Sequence, residues 1–498
     1  MKDDFQPQYL FSFRNGRVRL EVADALMLVF QIAFIVLFAI FANYPSASDI
    51  HPLRNEAGIL NDYGAYRDIA IMVYIGFGYL MTFLKRNGYA SVGGTLMVSV
   101  FALQWALLIN GFFVSALAKL KIVKVILDVR ALINGLFSVV SVMISYGVVI
   151  GKVSLYEMAF ASIFEVVSIG INNYIGNGRG TLLQAMDIGG SIYIHLFGAY
   201  FGLAFAWALR GLHAHRSKSG SKVELSGHPL NTSSPSSDLF AMIGTVFLFI
   251  YWPSFNGAFA SILNFDNGAA QMRAIVNTVI AQLAGAFTAF VFSRMFRNDG
   301  KSGRSKFNMT DIQNATLAAG VAVGASADQI IWPAGAMGVG IAAALVSVLG
   351  YVFIQGWLEH RFGLHDTCGV NNLHGMPGLL GGIVSVIVMA RAPMYESLYG
   401  MPIKTWFPFG TRQYAYQLAG IGVTLGIAIF GGIFTALCVR ACRSLLNPIS
   451  PSEMYFSDEV EWHVPAEEVP LVKEEQNPKK DTVQVKQVQP AIRDTAAL

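Results

Sequence analysis

The chain has 498 residues, of which 54% are hydrophobic and only 13% are charged, and its formal net charge is +4. Soluble domains usually carry about 25% charged residues, so this composition excludes an ordinary soluble domain. The small net charge also argues against nucleic acid as a partner.

Apolar stretches long enough to cross a bilayer recur along the whole chain. A backbone in hydrocarbon must satisfy its own hydrogen bonds, which favours helices over strands. We therefore predict an all-α polytopic membrane protein with about twelve transmembrane helices packed in the lipid bilayer. In chain order they lie near residues 22–43, 69–84, 91–113, 125–149, 155–175, 189–209, 239–263, 274–296, 312–331, 333–354, 372–390 and 414–439.

Lysine and arginine are concentrated in alternate connections, before the first helix and after the last. The positive-inside rule then predicts that both termini are cytoplasmic, in what we expect to be the plasma membrane. Residues 1–21 form a cytoplasmic N-terminus, 22–445 the membrane domain, and 446–498 a polar tail that we expect to be disordered and able to bind cytoplasmic partners. The sequons at Asn231 and Asn308 fall on the cytoplasmic side, so we expect neither to be glycosylated.

An internal repeat carries the functional information. Asp187 is followed by Gly190 and His195, and later in the chain an aspartate, a glycine and a histidine recur at the same spacing as Asp366, Gly369 and His374. Each copy opens the fifth helix of a five-helix block, and the two blocks span about 68–211 and 237–392. Because five is odd, the second block enters the membrane from the opposite side. The pattern predicts an inverted five-plus-five repeat, with an extra helix before it and a last helix after it, and functional sites near the midplane.

The two histidines are candidate pore residues. Eight helical residues rise about 12 Å, so His195 and His374 should each lie deeper in the membrane than the preceding aspartate. Inverted symmetry would bring them together at the centre, where an ionisable side chain is a functional candidate. Two neutral imidazoles can share one proton and offer a small polar molecule both a donor and an acceptor. A lone histidine at such a place could equally form a structural hydrogen bond between helices.

For Asp187 and Asp366 the simpler interpretation is helix capping. An aspartate at a helix N-terminus accepts hydrogen bonds from free N–H groups and interacts favourably with the helix dipole. Attraction of a substrate would be an added role.

The chain resembles the Rh glycoprotein branch of the ammonium transporter (Amt/Mep/Rh) superfamily over roughly residues 20–445. The resemblance rests on several long motifs, which are Tyr66 to Leu84, Gln104 to Leu108, Ile194 to Gly202, Tyr251 to Asn256, Gln313 to Leu317 and Asp366 to Gly382. It implies a homotrimer with one pore per subunit, which conducts ammonia or an ammonium ion that sheds its proton on entry. Conduction of CO2 is also suggested for the family.

The resemblance also implies roles for particular residues. The family's twin histidines match His195 and His374, its buried aspartate matches Asp187, and the two stacked phenylalanines that form its gate match Phe137 and Phe255. Asn173 falls where some Rh relatives carry an acidic vestibule residue, which implies weaker recruitment of cations. Without the resemblance, nothing in the sequence distinguishes these two rings from ordinary core phenylalanines, of which the chain has 36 in all.

Three other functions remain as alternatives. A membrane metalloprotease is disfavoured because the chain has no HExxH motif, and we predict neither an enzyme, a metal site nor a cofactor. A non-conducting Rh-like protein that anchors partners would have no need of the paired histidines. A cation-coupled symporter would need ion-binding groups at the midplane, whereas the aspartates lie nearer the helix ends.

Overall fold

The computed structural model describes residues 9–13, 18–45, 56–117, 124–210, 215–216, 222–260, 268–297, 305–450 and 452–465. Twelve long helices account for most of them and lie close to the predicted positions, except that the second begins at Glu56 rather than near residue 69. They are α1 Val22–Phe41, α2 Glu56–Ile71, α3 Ala90–Ser115, α4 Val129–Val149, α5 Leu155–Gly176, α6 Ser191–Leu209, α7 Pro235–Gly257, α8 Ala269–Phe296, α9 Met309–Val323, α10 Pro333–Phe362, α11 Asn371–Tyr399 and α12 Gly410–Leu445.

Ten of these helices are long and apolar enough to cross a membrane. The other two, α2 and α9, continue past their α-helical parts in tighter or wider turns, α2 through Met81–Phe83 and α9 through Gly324–Ser326. The structure confirms an all-α polytopic membrane protein. Short two-stranded pairings occur among the described residues only in the connections outside the helices, as between Tyr9–Phe13 and Val18–Glu21.

The helices α4 and α6 form the centre of the bundle. In their most apolar stretches, 89% and 83% of the residues are buried. In α1 only 6% are buried, and this helix presents its apolar side chains outward. Close packing at the centre depends on glycine: a Cβ at Gly198 of α6 would lie 2.8 Å from the Ser141 carbonyl oxygen of α4, and one at Gly202 would lie 2.7 Å from Ser145 Cα. Small residues let transmembrane helices approach this closely.

The segment that follows α12 folds back onto the bundle. The Asp458 carboxylate accepts hydrogen bonds from the Tyr89 and Ala90 N–H groups at 2.9 and 2.8 Å, and Glu461 accepts one from Leu155 N–H at 2.9 Å. The prediction of disorder from residue 446 onward is therefore wrong up to residue 462, because buried Phe456 and these two carboxylates attach the segment to the starts of α3 and α5. The rest of the predicted tail, 466–498, lies outside the described residues, as do residues 1–8 and 14–17 of the N-terminus.

Candidate functional site

The Asp–Gly–His repeat forms the same local structure twice. Asp187 Oδ2 accepts hydrogen bonds from the Ile192 and Tyr193 N–H groups, both at 2.8 Å. Asp366 accepts from Val370 N–H at 3.0 Å and Asn371 N–H at 2.9 Å. Each aspartate therefore satisfies free N–H groups where a central helix begins, which is the usual reason for an aspartate at such a position.

The glycine of each repeat makes the turn into the helix. Gly190 has φ +72° and Gly369 has φ +66°, a left-handed conformation that costs a residue with a Cβ roughly 1–2 kcal/mol. A π-helical turn follows in both copies, over Ser191–Leu196 and Asn371–Gly375, and each turn contains the histidine. Turns of this kind are frequent at functional sites.

The point at which the helix begins differs from one sequence expectation. Eight straight helical residues between aspartate and histidine would have risen about 12 Å. The helix that carries His195 begins only at Ser191, so His195 lies about 6 Å into it. Residues 187–190 are therefore not part of the helix, contrary to that expectation, and Asp187 and His195 are both buried.

The two histidines meet as the inverted symmetry predicted. His195 Nδ1 lies 3.1 Å from His374 Nδ1, and the rings are nearly parallel, with centroids 5.1 Å apart and planes 12° apart. Both side chains are buried. An aromatic ring stacks on each of them: Trp252 on His195 at 5.6 Å and Phe77 on His374 at 6.0 Å.

The contact between the two Nδ1 atoms determines which ring nitrogens carry hydrogen when both imidazoles are neutral. One Nδ1 must donate and the other must accept, so the two imidazoles are opposite tautomers. One Nε2 then carries a hydrogen and the other carries a lone pair. His195 Nε2 is buried and has no hydrogen-bond partner among the described residues. The pair can therefore offer a small molecule one donor and one acceptor.

Phenylalanine rings lie on one side of the histidine pair. Phe137 and Phe255 are in contact, with centroids 4.6 Å apart, and Phe255 lies 5.8 Å from the His195 ring. A third ring, Phe259, meets Phe137 edge to face at 5.0 Å and 88°. Sequence reasoning missed Phe259, although it stands one helical turn beyond Phe255. It also missed Trp252 and Phe77, because a stacking partner has no sequence motif of its own.

Two cavities approach this group from opposite ends of the bundle. One, of about 710 Å³, is lined by Asn173, Asp187, Phe137 and Phe259 among others. The second, of about 270 Å³, is lined by Asp366 and reaches His374. The cavities share no lining residue; Phe255 and His195, which line neither, lie between them. The aspartates, phenylalanines and histidines predicted from the sequence therefore lie in, or between, these two cavities, and we call this series the line of site residues.

The two ends of this line differ in charge. At the Asp187 end, burial raises the pKa of Asp187 to about 6, and the N–H groups that it accepts from limit the rise. At the Asp366 end, buried Lys152 donates to the Val148 and His365 carbonyl oxygens at 2.9 and 2.8 Å. Burial lowers the pKa of Lys152 to about 8, although Asp366 nearby favours its charged form. Asn173, at the first end, accepts a hydrogen bond from Asn177 at 3.0 Å.

The described residues contain no group of three or more histidine, cysteine, aspartate or glutamate side chains placed to hold a metal ion. His360, His365 and Asp366 lie close together in the sequence, but the two histidines contact separate partners. His360 lies 3.0 Å from Glu224, and His365 contacts Lys152 and Asn231.

Comparison with known proteins shows which family the chain belongs to. Residues 27–462 match the model of the Ammonium Transporter Family. The chain is 40% identical over 468 residues to "Ammonium transporter Rh type B" of Mus musculus, covering 91% of this chain and 96% of that protein. It is 36% identical to "Ammonium transporter Rh type C" of Tetraodon nigroviridis, covering 91% and 93% of the two chains.

Among solved structures, the Rh50 protein of Nitrosomonas europaea superposes with a TM-score of 0.66 at 30% identity. The match covers 83% of this chain and 95% of that one, and the structure is described as showing the mechanism of conduction by the Rhesus protein family of channels. These relatives are transporters and channels rather than enzymes. The chain belongs to the ammonium transporter family, in its animal Rh branch.

Proposed function

We propose that the protein conducts ammonia across the membrane through the line of residues that joins its two cavities. The observation that carries the proposal is the buried His195–His374 pair, joined at 3.1 Å between the cavities. The pair presents one donor and one acceptor in an otherwise apolar setting. Ammonia, which both donates and accepts hydrogen bonds, is a suitable ligand for it, and the relatives are named as ammonium transporters.

The charge of the permeating species follows from solvation. Moving an ammonium-sized ion from water into a medium of low dielectric costs of order 20 kcal/mol before any compensation. Neutral ammonia loses only a few hydrogen bonds to water. We therefore propose that ammonium enters the cavity at the Asp187 end and releases its proton near the phenylalanine rings, back to the water of that cavity. It then crosses the histidine pair as ammonia. Sodium and potassium ions are rejected because they cannot lose their charge in this way.

The arrangement around the pore forms part of the same proposal. The Asp187 end faces the outside and the Asp366 end the cytoplasm, in agreement with the positive charge near the termini. The membrane domain covers residues 22–445, with the repeats over about 68–211 and 237–392, and assembles as a homotrimer in the plasma membrane. Asn173 lines the outer cavity without adding negative charge, which supports weaker recruitment of cations than an acidic residue would give.

Flux into liposomes tests the function. Vesicles that contain the purified protein and a pH-sensitive dye are expected to turn alkaline inside several-fold faster than protein-free vesicles when ammonium chloride is added. The rate should not depend on an imposed membrane voltage, because only charge movement is sensitive to voltage. Traces that match empty vesicles would contradict transport and leave the non-conducting anchor as the alternative. A voltage-dependent flux would contradict ammonia as the conducted species.

Phe259, which meets the gate residue Phe137 edge to face, gives a separate prediction. Phe137 is in contact with both Phe255 and Phe259, so its rotation must break the edge-to-face contact with Phe259. Such contacts contribute about 0.5–1.5 kcal/mol. Phe259→Ala is therefore expected to raise ammonia flux by up to roughly tenfold and to admit larger amines that the wild type excludes.

The amine series is measured in the same vesicle assay, with Phe430→Ala as the control. Phe430 is 76% exposed, so its removal should leave flux and size selectivity unchanged. Unaltered size selectivity in Phe259→Ala would show that Phe259 takes no part in the gate.

A further inference from the structure

Glu165 is a buried acid that the proposed pore does not use. It lies ten residues into α5, about 15 Å from the start of the helix and so near the middle of a membrane about 30 Å thick. Its side chain is 0% exposed. An ionisable group at this depth is costly and calls for a functional explanation.

Glu165 has a single hydrogen-bond partner among the described residues. Its Oε1 lies 2.6 Å from Ser145 Oγ on α4, and its Oε2 is buried without a partner. None of the ion pairs between described residues involves it. An ionised carboxylate in this position would lack both a counter-ion and a second donor, and would carry the full cost of desolvation.

Counting hydrogens at Ser145 determines the direction of the bonds. Ser145 Oγ also lies 2.8 Å from the Gly198 carbonyl oxygen on α6. A serine hydroxyl has one hydrogen, and a carbonyl oxygen has none. With ordinary two-centre bonds, both contacts are hydrogen bonds only if Ser145 donates to Gly198 and Glu165 itself donates to Ser145 Oγ. The carboxyl group must then carry a proton.

We propose that Glu165 is a neutral carboxylic acid that positions His195 through Ser145 and the Gly198 carbonyl. The chain of donors runs from α5 through α4 to α6 and ends on a backbone carbonyl, which cannot pass a proton onward. It is therefore not a proton path. Its effect is to join three central helices at one place.

The link to His195 runs through α6. Gly198 is three residues after His195, about one helical turn away. Around Gly198 the α4 and α6 backbones are in direct contact, because a Cβ there would lie 2.8 Å from the Ser141 carbonyl oxygen. Ser141 also donates to the Ile194 carbonyl oxygen at 3.3 Å. The height and rotation of the His195 turn are thus set by its contact with α4, and the Glu165–Ser145–Gly198 bonds hold that contact in place.

Infrared difference spectroscopy tests the proton on Glu165. The wild-type protein in lipid should show the carbonyl band of a protonated carboxylic acid that Glu165→Gln lacks, from mildly acidic to mildly alkaline pH. Glu459→Gln, which removes a solvent-exposed carboxyl group outside the spans, is the matched control and should leave the band in place. A wild-type spectrum without the band would overturn the proposal. This result does not depend on whether the protein transports ammonia.

Flux measurements test the positioning role, which rests on the proposed function. A glutamine amide can donate to Ser145 as the acid does, so Glu165→Gln should keep flux within about twofold of the wild type. Glu165→Leu keeps much of the volume without the donor, and should lower flux by about fivefold, the factor for one lost hydrogen bond.

Equal loss of flux in the two variants would show that the ionised acid is required and would overturn the proposal. Unchanged flux in a folded Glu165→Leu would overturn the positioning role. If the leucine variant does not fold, the spectrum and the glutamine variant still decide. Wild-type protein that shows the band but no flux would refute the proposed function and leave the protonated acid established.

Discussion

His374→Leu is expected to lower ammonia flux about tenfold or more without unfolding the protein. The substitution removes the ring whose Nδ1 lies 3.1 Å from His195 Nδ1. His195 then loses its partner, and a crossing molecule loses either its donor or its acceptor at the histidine pair. One hydrogen bond lost in an apolar site costs about 1–1.5 kcal/mol, and about 1.4 kcal/mol changes a rate tenfold. Leucine fills much of the space, so neighbouring Phe77 keeps a packing partner.

The vesicle assay measures this effect, and His360→Leu provides the control. The His360 side chain is 82% exposed and lies 3.0 Å from the exposed Glu224, so its loss should leave flux unchanged. By symmetry His195→Leu should lower flux to a similar degree. Wild-type flux in both pore variants, with normal thermal stability, would reduce the pair to a structural bond between α6 and α11.

The repeat could be found in the sequence because its chemistry is local. An aspartate that caps, a glycine in the left-handed conformation and a histidine within one π-turn all act within eight residues, so Asp187 to His195 and Asp366 to His374 keep the same spacing. Apolar length located most of the helices for a similar reason, since each span needs about 20 such residues. The π-turns themselves were not predictable, because widening a helix by one residue leaves no mark in a hydrophobic pattern.

Contacts between distant helices stayed out of reach of sequence reasoning. Phe259 meets Phe137 across 122 positions of the chain, and nothing in either segment marks the other as its partner. Glu165 and Ser145 are only 20 residues apart, yet an acid within an apolar helix gives no sign of whether it is paired or protonated. Such contacts depend on how helices rotate against each other, and that is set by close approaches such as the one at Gly198.

The segment after α12 shows the opposite error. Its polar composition predicted disorder, but whether the segment is ordered depends on a few residues rather than on its average polarity. Phe456 is fully buried and its N–H donates to the Gly151 carbonyl oxygen at 2.8 Å. Asp458 and Glu461 cap two helices. A small number of specific contacts can hold a segment in place even where most of its residues are polar.

Substitution of Asp187 is expected to separate its capping role from any role of its charge. Asp187→Ala removes the acceptor for the Ile192 and Tyr193 N–H groups, leaving two buried donors unsatisfied where the His195 turn begins. Each unsatisfied donor costs about 1–3 kcal/mol. The variant should therefore melt several degrees lower and lose most of its ammonia flux, at least tenfold, because the histidine pair can no longer form at 3.1 Å.

Asp187→Asn keeps a carbonyl oxygen that can accept both N–H groups but removes the charge. If capping is the main role, this variant should recover thermal stability and most of the flux that Asp187→Ala loses. If the charge is what recruits ammonium, Asp187→Asn should instead fold normally and lose flux chiefly at low ammonium concentration.

The pH dependence of flux tests recruitment by the Asp187 charge separately. Because the pKa of Asp187 is about 6, in the wild type the charge is present at neutral pH and is lost as the pH falls through about 6. Over that range the ammonia concentration itself falls, so flux is compared after correction for it. If corrected flux falls in the wild type but not in Asp187→Asn, the charge recruits ammonium. Parallel profiles in the two proteins would leave Asp187 as the cap of the His195 turn.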